Sequence, residues 1–426
     1  MSEVREGYKM TELGEIPVEW DTLTLGDISK RITTKNKGLI SENVLTISAQ
    51  HGLISQTEFF NKRVASSNLE GYYLLENDDF AYNKSYSKGY PMGAIKPLIR
   101  YDNGVVSTLY ICFRLSSGLN TSYFKDYFDS DLWHKEVAEI AQEGARNHGL
   151  LNVAVNEFFG IKIIVPTVEE QQKIASILST VDEQIDETEQ LIVKTKELKK
   201  GLMQQLLTKG IGHTEFKQTE LGEIPVDWEV KKIGEYLDVL GGYAFKSKDA
   251  TEFGSRWLKI ANVGIGKIKW DDASYLPEEY LDKFSEYQIK YGDIVMAMTR
   301  PILNGEIKIA VYQDKEISLL NQRVCKFEIL NGTIDKSYFY QLGTTSEFAQ
   351  NIEYLIAGTD PPNVSSQQIK SVLIRVPSIE EQQNIASILS IVDEQIEVYE
   401  QEKAKYEELK KGLMQQLLTG QIRVKI

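Results

Sequence analysis

The sequence predicts an α+β chain: two mixed α/β domains in tandem pseudo-repeat, separated by two long helices that pair as a coiled coil. Three observations predict it. Thr-Glu-Leu-Gly-Glu-Ile-Pro-Val occurs at residues 11–18 and again at 219–226, each copy followed by an acidic residue and a tryptophan (Glu19-Trp20, Asp227-Trp228). Val-Pro-x-x-Glu-Glu-Gln-Gln-x-Ile-Ala-Ser-Ile-Leu-Ser-x-Val-Asp-Glu-Gln-Ile begins at Val165 and at Val376, and its tail, Glu-Leu-Lys-Lys-Gly-Leu-Met-Gln-Gln-Leu-Leu-Thr, recurs at 197–208 and 408–419. Between these blocks lie two stretches, 21–165 and 229–376, that barely resemble each other. One frame thus carries two different inserts. A constant frame with differing inserts suits a device that reads two different things at a fixed separation.

The helices follow from the second block. Pro166 and Pro377 cannot sit inside a helix and mark its start. Thr167 and Ser378 are suitable N-caps, with Glu170 and Glu381 at capping-box spacing in an acidic first turn. Apolar residues step four and three apart, through Ile174, Leu178, Val181 and Ile185 in the first helix and Ile385, Leu389, Val392 and Ile396 in the second. After a less regular middle the seam resumes at Leu198, Leu202 and Leu206, and at Leu409, Leu413 and Leu417. Such a spacing is a coiled-coil seam. At 1.5 Å per residue each helix is roughly 60 Å long. A helix with one narrow apolar stripe needs a second helix, and its own repeat is the obvious partner. Gly210 and Gly420 mark the ends.

The inserts read as mixed α/β. Short β-rich runs fall at 44–47, 80–82, 109–113 and 161–165, and at 257–260, 294–296, 324–329 and 372–376. Each insert has a late helical run, at 121–141 and 336–356. Asp79-Phe80 and Asp293-Ile294 each open a strand after a turn, and Asn152-Val153 and Asn363-Val364 precede the two Val-Pro signals at the same distance. The inserts therefore look like two versions of one fold. The expected division is 1–165 and 211–376 for the domains, 166–210 and 377–426 for the helical spacers.

The chain has 426 residues and is 42% hydrophobic, enough for several buried cores. No 18-residue apolar run and no signal-peptide pattern occurs, so neither membrane insertion nor export is expected. Two isolated cysteines, Cys112 and Cys325, in strand-like runs suit small buried side chains in a reducing cytoplasm. The net charge of −14 argues at first against a nucleic-acid partner. Its distribution weakens that objection. Residues 21–165 carry 15 basic and 16 acidic side chains, residues 229–376 carry 18 and 20, and the remainder 15 and 26. The frame holds most of the acid excess, and the inserts are nearly neutral.

Catalytic signatures are absent: no phosphate-binding loop, nucleophile elbow, zinc motif or dinucleotide fingerprint occurs. Asp360-Pro361-Pro362-Asn363 resembles the Asp/Asn-Pro-Pro-aromatic loop of DNA amino-methyltransferases, but Asn363 stands where the stacking aromatic belongs. It reads as a turn.

Several loops mix cations, aromatics and amides, the side chains that reach phosphates and base edges. In the first insert these are 82–90, with Lys84, Ser85, Tyr86 and Lys88, and 143–149, with Arg146, Asn147 and His148. In the second they are 241–247, with Tyr243 and Lys246, then Thr299 and Arg300, Gln322 and Arg323, and Thr359. Each loop alone is compatible with a solvated turn, and Tyr243 with local packing.

The two helical blocks, with Gly-Glu-Ile-Pro-x-x-Trp at 14–20 and 222–228, resemble the specificity subunit of type I restriction–modification systems. The resemblance spans essentially the whole chain, and 241–247 is similar to a common opening of the family's target-recognition domains. It implies that each insert is a target-recognition domain reading one half of a bipartite, asymmetric site in double-stranded DNA. It implies that the helices pair antiparallel as a spacer on which two modification subunits dock, joined by two restriction subunits. S-adenosylmethionine, ATP and magnesium are then expected on those partners, with no cofactor, metal or catalytic residue in this chain. From the residues alone, a methyltransferase fusion and a coiled-coil scaffold without a DNA role stay open; the first needs motifs absent here.

Overall fold

The computed structural model describes residues 4–48, 52–60, 68–85, 89–141, 151–271, 273–330, 332–358 and 360–426. The chain divides into two compact units, Met1–Glu189 with Gln401–Ile426, and Gln190–Glu400. Each unit holds one insert, the first half of one long helix and the second half of the other.

The repeated octapeptide forms the turn and second strand of a β-hairpin in both copies: Tyr8–Thr11 pairs with Gly14–Pro17, and Phe216–Thr219 with Gly222–Pro225. Gly14 and Gly222 turn the chain at φ +109° and +83°, which residues bearing a Cβ avoid. Asp21–Thr24 then pairs antiparallel with Lys162–Val165, and Glu229–Lys232 with Leu373–Val376. The start and end of each insert are zipped together just before the long helix.

Both inserts contain an antiparallel four-stranded sheet of the same order. In the first unit it runs Ser29–Ile32, Ile111–Leu115, Phe80–Asn83, Ala94–Pro97. In the second it runs Leu237–Gly241, Val324–Ile329, Ile294–Ala297, Ile309–Val311. The expected strand at 109–113 begins instead at Ile111, and the one at 257–260 is Ser255–Leu258. The units differ outside this sheet. The first adds the pairs Leu45–Ser48 with Gly52–Ser55 and Tyr73–Glu76 with Asn103–Val106. The second adds a mixed sheet in which Ser255–Leu258 runs parallel to Ser318–Leu320. Each expected late helical run is two helices, Thr121–Asp129 and His134–Ile140, then Lys336–Gly343 and Ser346–Ile356. Local hydroxyls explain the breaks. Ser130 Oγ donates to the Tyr127 carbonyl, and Thr345 Oγ1 accepts from Phe348 N as the next N-cap.

The long helices are Val168–Lys209 and Ile379–Leu417, and both run on through a glycine, Gly201 and Gly412. Within each unit the two halves run antiparallel. In the first, Lys410 Nζ lies 2.6 Å from Asp182 Oδ1 and Lys403 Nζ 2.7 Å from Glu189 Oε2. In the second, Lys199 Nζ lies 2.6 Å from Asp393 Oδ1 and Lys196 Nζ 2.7 Å from Glu400 Oε1. Ile174 and Leu178 share the first core with Trp20, Phe113, Tyr127 and Leu417. Leu206, Ile385 and Leu389 share the second with Trp228, Phe327 and Tyr338.

The middle of the seam is a correction. Leu198 and Leu409, expected inside it, are 56% and 49% exposed. The four–three step runs unbroken instead through Thr188, Ile192, Thr195 and Lys199, and through Tyr399, Lys403, Tyr406 and Lys410, all buried or half-buried. The lysines bury their stems and reach a facing carboxylate, so the packing register continues where the apolar pattern lapses. Burial works against the Asp182 carboxylate, yet Lys125 and Lys410 hold it below the ordinary range.

Cys112 and Cys325 are buried in the central sheets, where burial pushes both thiols up to about 12. Among the described residues, no helix is long and apolar enough to cross a membrane, and no group of three or more His, Cys, Asp or Glu is placed to hold a metal ion.

Candidate nucleic-acid interface

In the second unit, four segments far apart in sequence meet at one end of the central sheet. Backbone bonds fix them: Tyr243 N donates to the Leu320 carbonyl, Gln322 N to that of Tyr243, Met298 N to that of Arg323, and Val364 N to that of Met298. Thr299, Arg300, Gln322, Arg323 and Tyr243 are thereby brought together. Thr299 is buried, and its Oγ1 donates to Asn363 Oδ1 at 2.7 Å while accepting from Arg323 Nη1 at 3.2 Å. Arg300 is exposed at φ +47°, with its N–H on the Pro362 carbonyl at 2.8 Å. Among the described residues neither Arg300 nor Arg323 has a carboxylate partner. Lys308 N donates to the Pro301 carbonyl at 2.7 Å, which sets Lys308 beside Arg300, and burial and the Arg300 charge hold its ammonium below its ordinary range. Lys308, in the strand-like stretch before Ile309–Val311, carried no sequence signal. The Asp-Pro-Pro-Asn segment is a wall of this cluster.

Tyr243 is 40% exposed, its ring packed on Phe245, Phe284 and Tyr287. Lys246 is exposed on the same loop, its backbone N–H on Asp249 Oδ2. Thr359 lies outside the described residues.

In the first unit the corresponding place is the end of strand Phe80–Asn83. Ser85 N donates to Asn83 Oδ1 at 3.1 Å, and Leu151 N to the Lys84 carbonyl at 2.9 Å. That second bond joins the flanks of the two candidate loops. Lys84 and Ser85 are half-buried there. Tyr86, Lys88, Arg146, Asn147 and His148 lie outside the described residues.

The frame is built by a joint repeated in each unit. Trp20 Nε1 donates to Glu170 Oε2 at 2.7 Å, and Trp228 Nε1 to Glu381 Oε2 at 2.9 Å. These glutamates thus reach to the tryptophans and not to the N-cap backbone N–H of a full capping box; Thr167 and Ser378 still accept from Glu170 N and Glu381 N, and Thr167 Oγ1 also donates to Glu170 Oε2 at 3.3 Å. The second carboxylate oxygen takes Arg423 Nε at 2.7 Å in the first unit, and Ile211 N and His213 Nε2, each at 2.9 Å, in the second. The following glutamine holds the insert: Gln171 Oε1 accepts from Asn120 N, and Gln382 Oε1 from Asp335 N, at the head of the next-to-last helix pair. Co-repetition of the two motifs was the sequence signal of this joint. Gly210, at φ +68°, lies under it; a Cβ there would sit 2.5 Å from Glu381 Oε1 and 2.8 Å from the Trp228 ring. Gly210→Ala is expected to cost more than about 1 kcal/mol, measured by urea unfolding; an unchanged midpoint would refute this packing.

A family model for the type I restriction modification DNA specificity domain matches residues 17–197 and again 225–408. The chain is 33% identical over 430 residues to the type I restriction enzyme MjaVIII specificity subunit of Methanocaldococcus jannaschii, covering 99% of this chain and 97% of that one. It is 28% identical over 444 residues to the putative MjaX specificity subunit of the same organism, again over 99% and 97%. The crystal structure of the type I restriction–modification system S subunit from M. genitalium superposes with a TM-score of 0.57 at 14% identity, over 98% of both chains. A solved chain from work on complex assembly and conformational transition of the type I R-M system gives 0.53 at 14%, over 96% of this chain and 99% of that one. At such identity these two speak for the fold alone. With two copies of the specificity domain and a full-length relative, the chain belongs to the family of type I restriction–modification specificity subunits.

Proposed function

We propose that each target-recognition domain reads one half of a bipartite, asymmetric DNA site, while the paired helices set the spacer and dock two modification subunits. The observation that carries this reading is the contrast between units. Their joints and central sheets match, but the segments at the same sheet end differ, Asn83–Lys84–Ser85 in one and Ala297–Met298–Thr299–Arg300 in the other. Different side chains on equal scaffolds suit different half-sites, so the whole site is not a palindrome. The chain itself is non-catalytic; S-adenosylmethionine belongs to the modification subunits, and ATP and magnesium to two restriction subunits. With a net charge of −14, the isolated chain binds DNA poorly, because phosphate neutralisation drives affinity.

Methylome sequencing of a cytoplasmic host co-expressing this chain with its modification subunits tests the reading. One motif with two unlike half-sites and an unspecified spacer is expected. A continuous or palindromic motif, or methylation without sequence preference, would sink it.

A further inference from the structure

Resting on the proposed reading of half-sites, we infer that Arg323 reads a guanine in the second half-site, oriented by a Thr299–Asn363 relay, and that Arg300 and Lys308 hold a neighbouring phosphate. An exposed arginine normally samples many rotamers, and ordering it on DNA costs entropy. Arg323 is already tied. Its Nη1 donates to Thr299 Oγ1 at 3.2 Å, and that hydroxyl is committed to Asn363 Oδ1 at 2.7 Å. Its backbone is tied too, the N–H on Asn321 Oδ1 and the carbonyl accepting from Met298 N. Thr299 is buried, so the relay is part of the fold and not a surface accident.

The anchor is a neutral hydroxyl, so the guanidinium keeps its charge and most of its five donors. Among the described residues no carboxylate neutralises it. A fixed planar fork matches two acceptors side by side, which guanine presents at O6 and N7 in the major groove. Arg300 and Lys308 have a different character. They are like charges on neighbouring backbone, Lys308 N donating to the Pro301 carbonyl at 2.7 Å, and Arg300 holds a left-handed backbone that residues other than glycine adopt only at a cost. Two such cations gain most from a shared anion, and DNA supplies a phosphate.

The test measures the methylome of the co-expressed complex for wild type and three variants, Arg323→Ala, Arg323→Lys and Thr299→Val, beside Arg300→Ala. Arg323→Ala is expected to relax one guanine position of the second half-site by about 5- to 150-fold, the discrimination of one bidentate contact. Arg323→Lys keeps the charge and loses the fork, and relaxes the same position. Thr299→Val keeps the volume, removes the anchor, and relaxes that position to a smaller degree. A purely structural role of Thr299 would not single out one base. Arg300→Ala is expected to lower methylation at all sites evenly, reduce the salt dependence of DNA binding by the complex, and leave the motif intact. The first half-site is the internal control for folding and stays unchanged throughout. If the Arg323 variants lower methylation evenly with the motif intact, or change nothing, the guanine assignment is overturned while the bipartite reading stands. If wild type itself shows no bipartite motif, the bipartite reading fails, and this assignment with it.

Discussion

Replacing Trp20 by Ala is expected to remove about 3–5 kcal/mol from the first unit through lost packing alone. The side chain is fully buried, as is the Glu170 carboxylate that accepts from its indole at 2.7 Å. Removing the donor leaves that buried carboxylate oxygen with only the longer bond from Thr167 Oγ1, at 3.3 Å, at a further cost of about 1–3 kcal/mol. Whole domains are stable by only about 5–15 kcal/mol, so this joint decides whether the unit stays folded. Trp20→Phe separates the two contributions by keeping a ring and deleting the donor. The matching Trp228→Phe is expected to cost less. Both glutamates keep partners on the other oxygen, Arg423 for Glu170 and Ile211 N with His213 for Glu381, but the Glu381 side chain is 14% exposed where that of Glu170 is fully buried. Urea unfolding followed by circular dichroism, with hydrogen exchange to assign the loss to one unit, measures both. A Trp20→Ala chain within 1 kcal/mol of wild type would contradict the joint as described. Because the joint lies in the frame, any Trp20→Phe protein that assembles should methylate the wild-type motif.

The second large effect concerns the spacer. The seam steps four and three without interruption from Ile174 to Leu206 and from Ile385 to Leu417. Seven-residue insertions therefore keep it in register, whereas four-residue insertions rotate the stripe off its partner. The ion pairs say where to cut. Glu189–Lys403 lies to one side and Lys196–Glu400 to the other. Insertions after Val193 and after Gln401 respect both. Two such heptads add about 10 Å along the helix, or about three base pairs at 3.4 Å each. The methylated motif is expected to keep both half-sites and lengthen its spacer by that amount. Four-residue insertions at the same points are expected to lower stability and methylation together. An unchanged spacer with altered half-sites would end the ruler reading.

How much was legible beforehand varied with the range of the contact. The helix starts were readable because proline, cap and first-turn charge act within a few residues. The outer seam at Leu178 and Leu389 was readable because apolar side chains reveal it. The middle was not: Thr188, Lys199, Tyr406 and Lys410 occupy seam positions while being polar, and the neighbouring leucines, Leu198 and Leu409, drew the register one place away. The candidate loops of the second insert were found one by one from their residue types, but nothing in the sequence said that they adjoin.

The sequence by itself determined the tandem frame, the two long helices, the family and the division between constant joint and variable insert. Repetition and local periodicity carry that information without reference to space. Only the tertiary structure decided that Trp20 and Trp228 hang on Glu170 and Glu381, that lysines complete the seam, and that Tyr243, Thr299, Arg323 and Asn363 form one cluster. Those contacts join residues tens to hundreds of positions apart. Their geometry depends on strand order and register, which a one-dimensional pattern of hydrophobicity and charge does not encode.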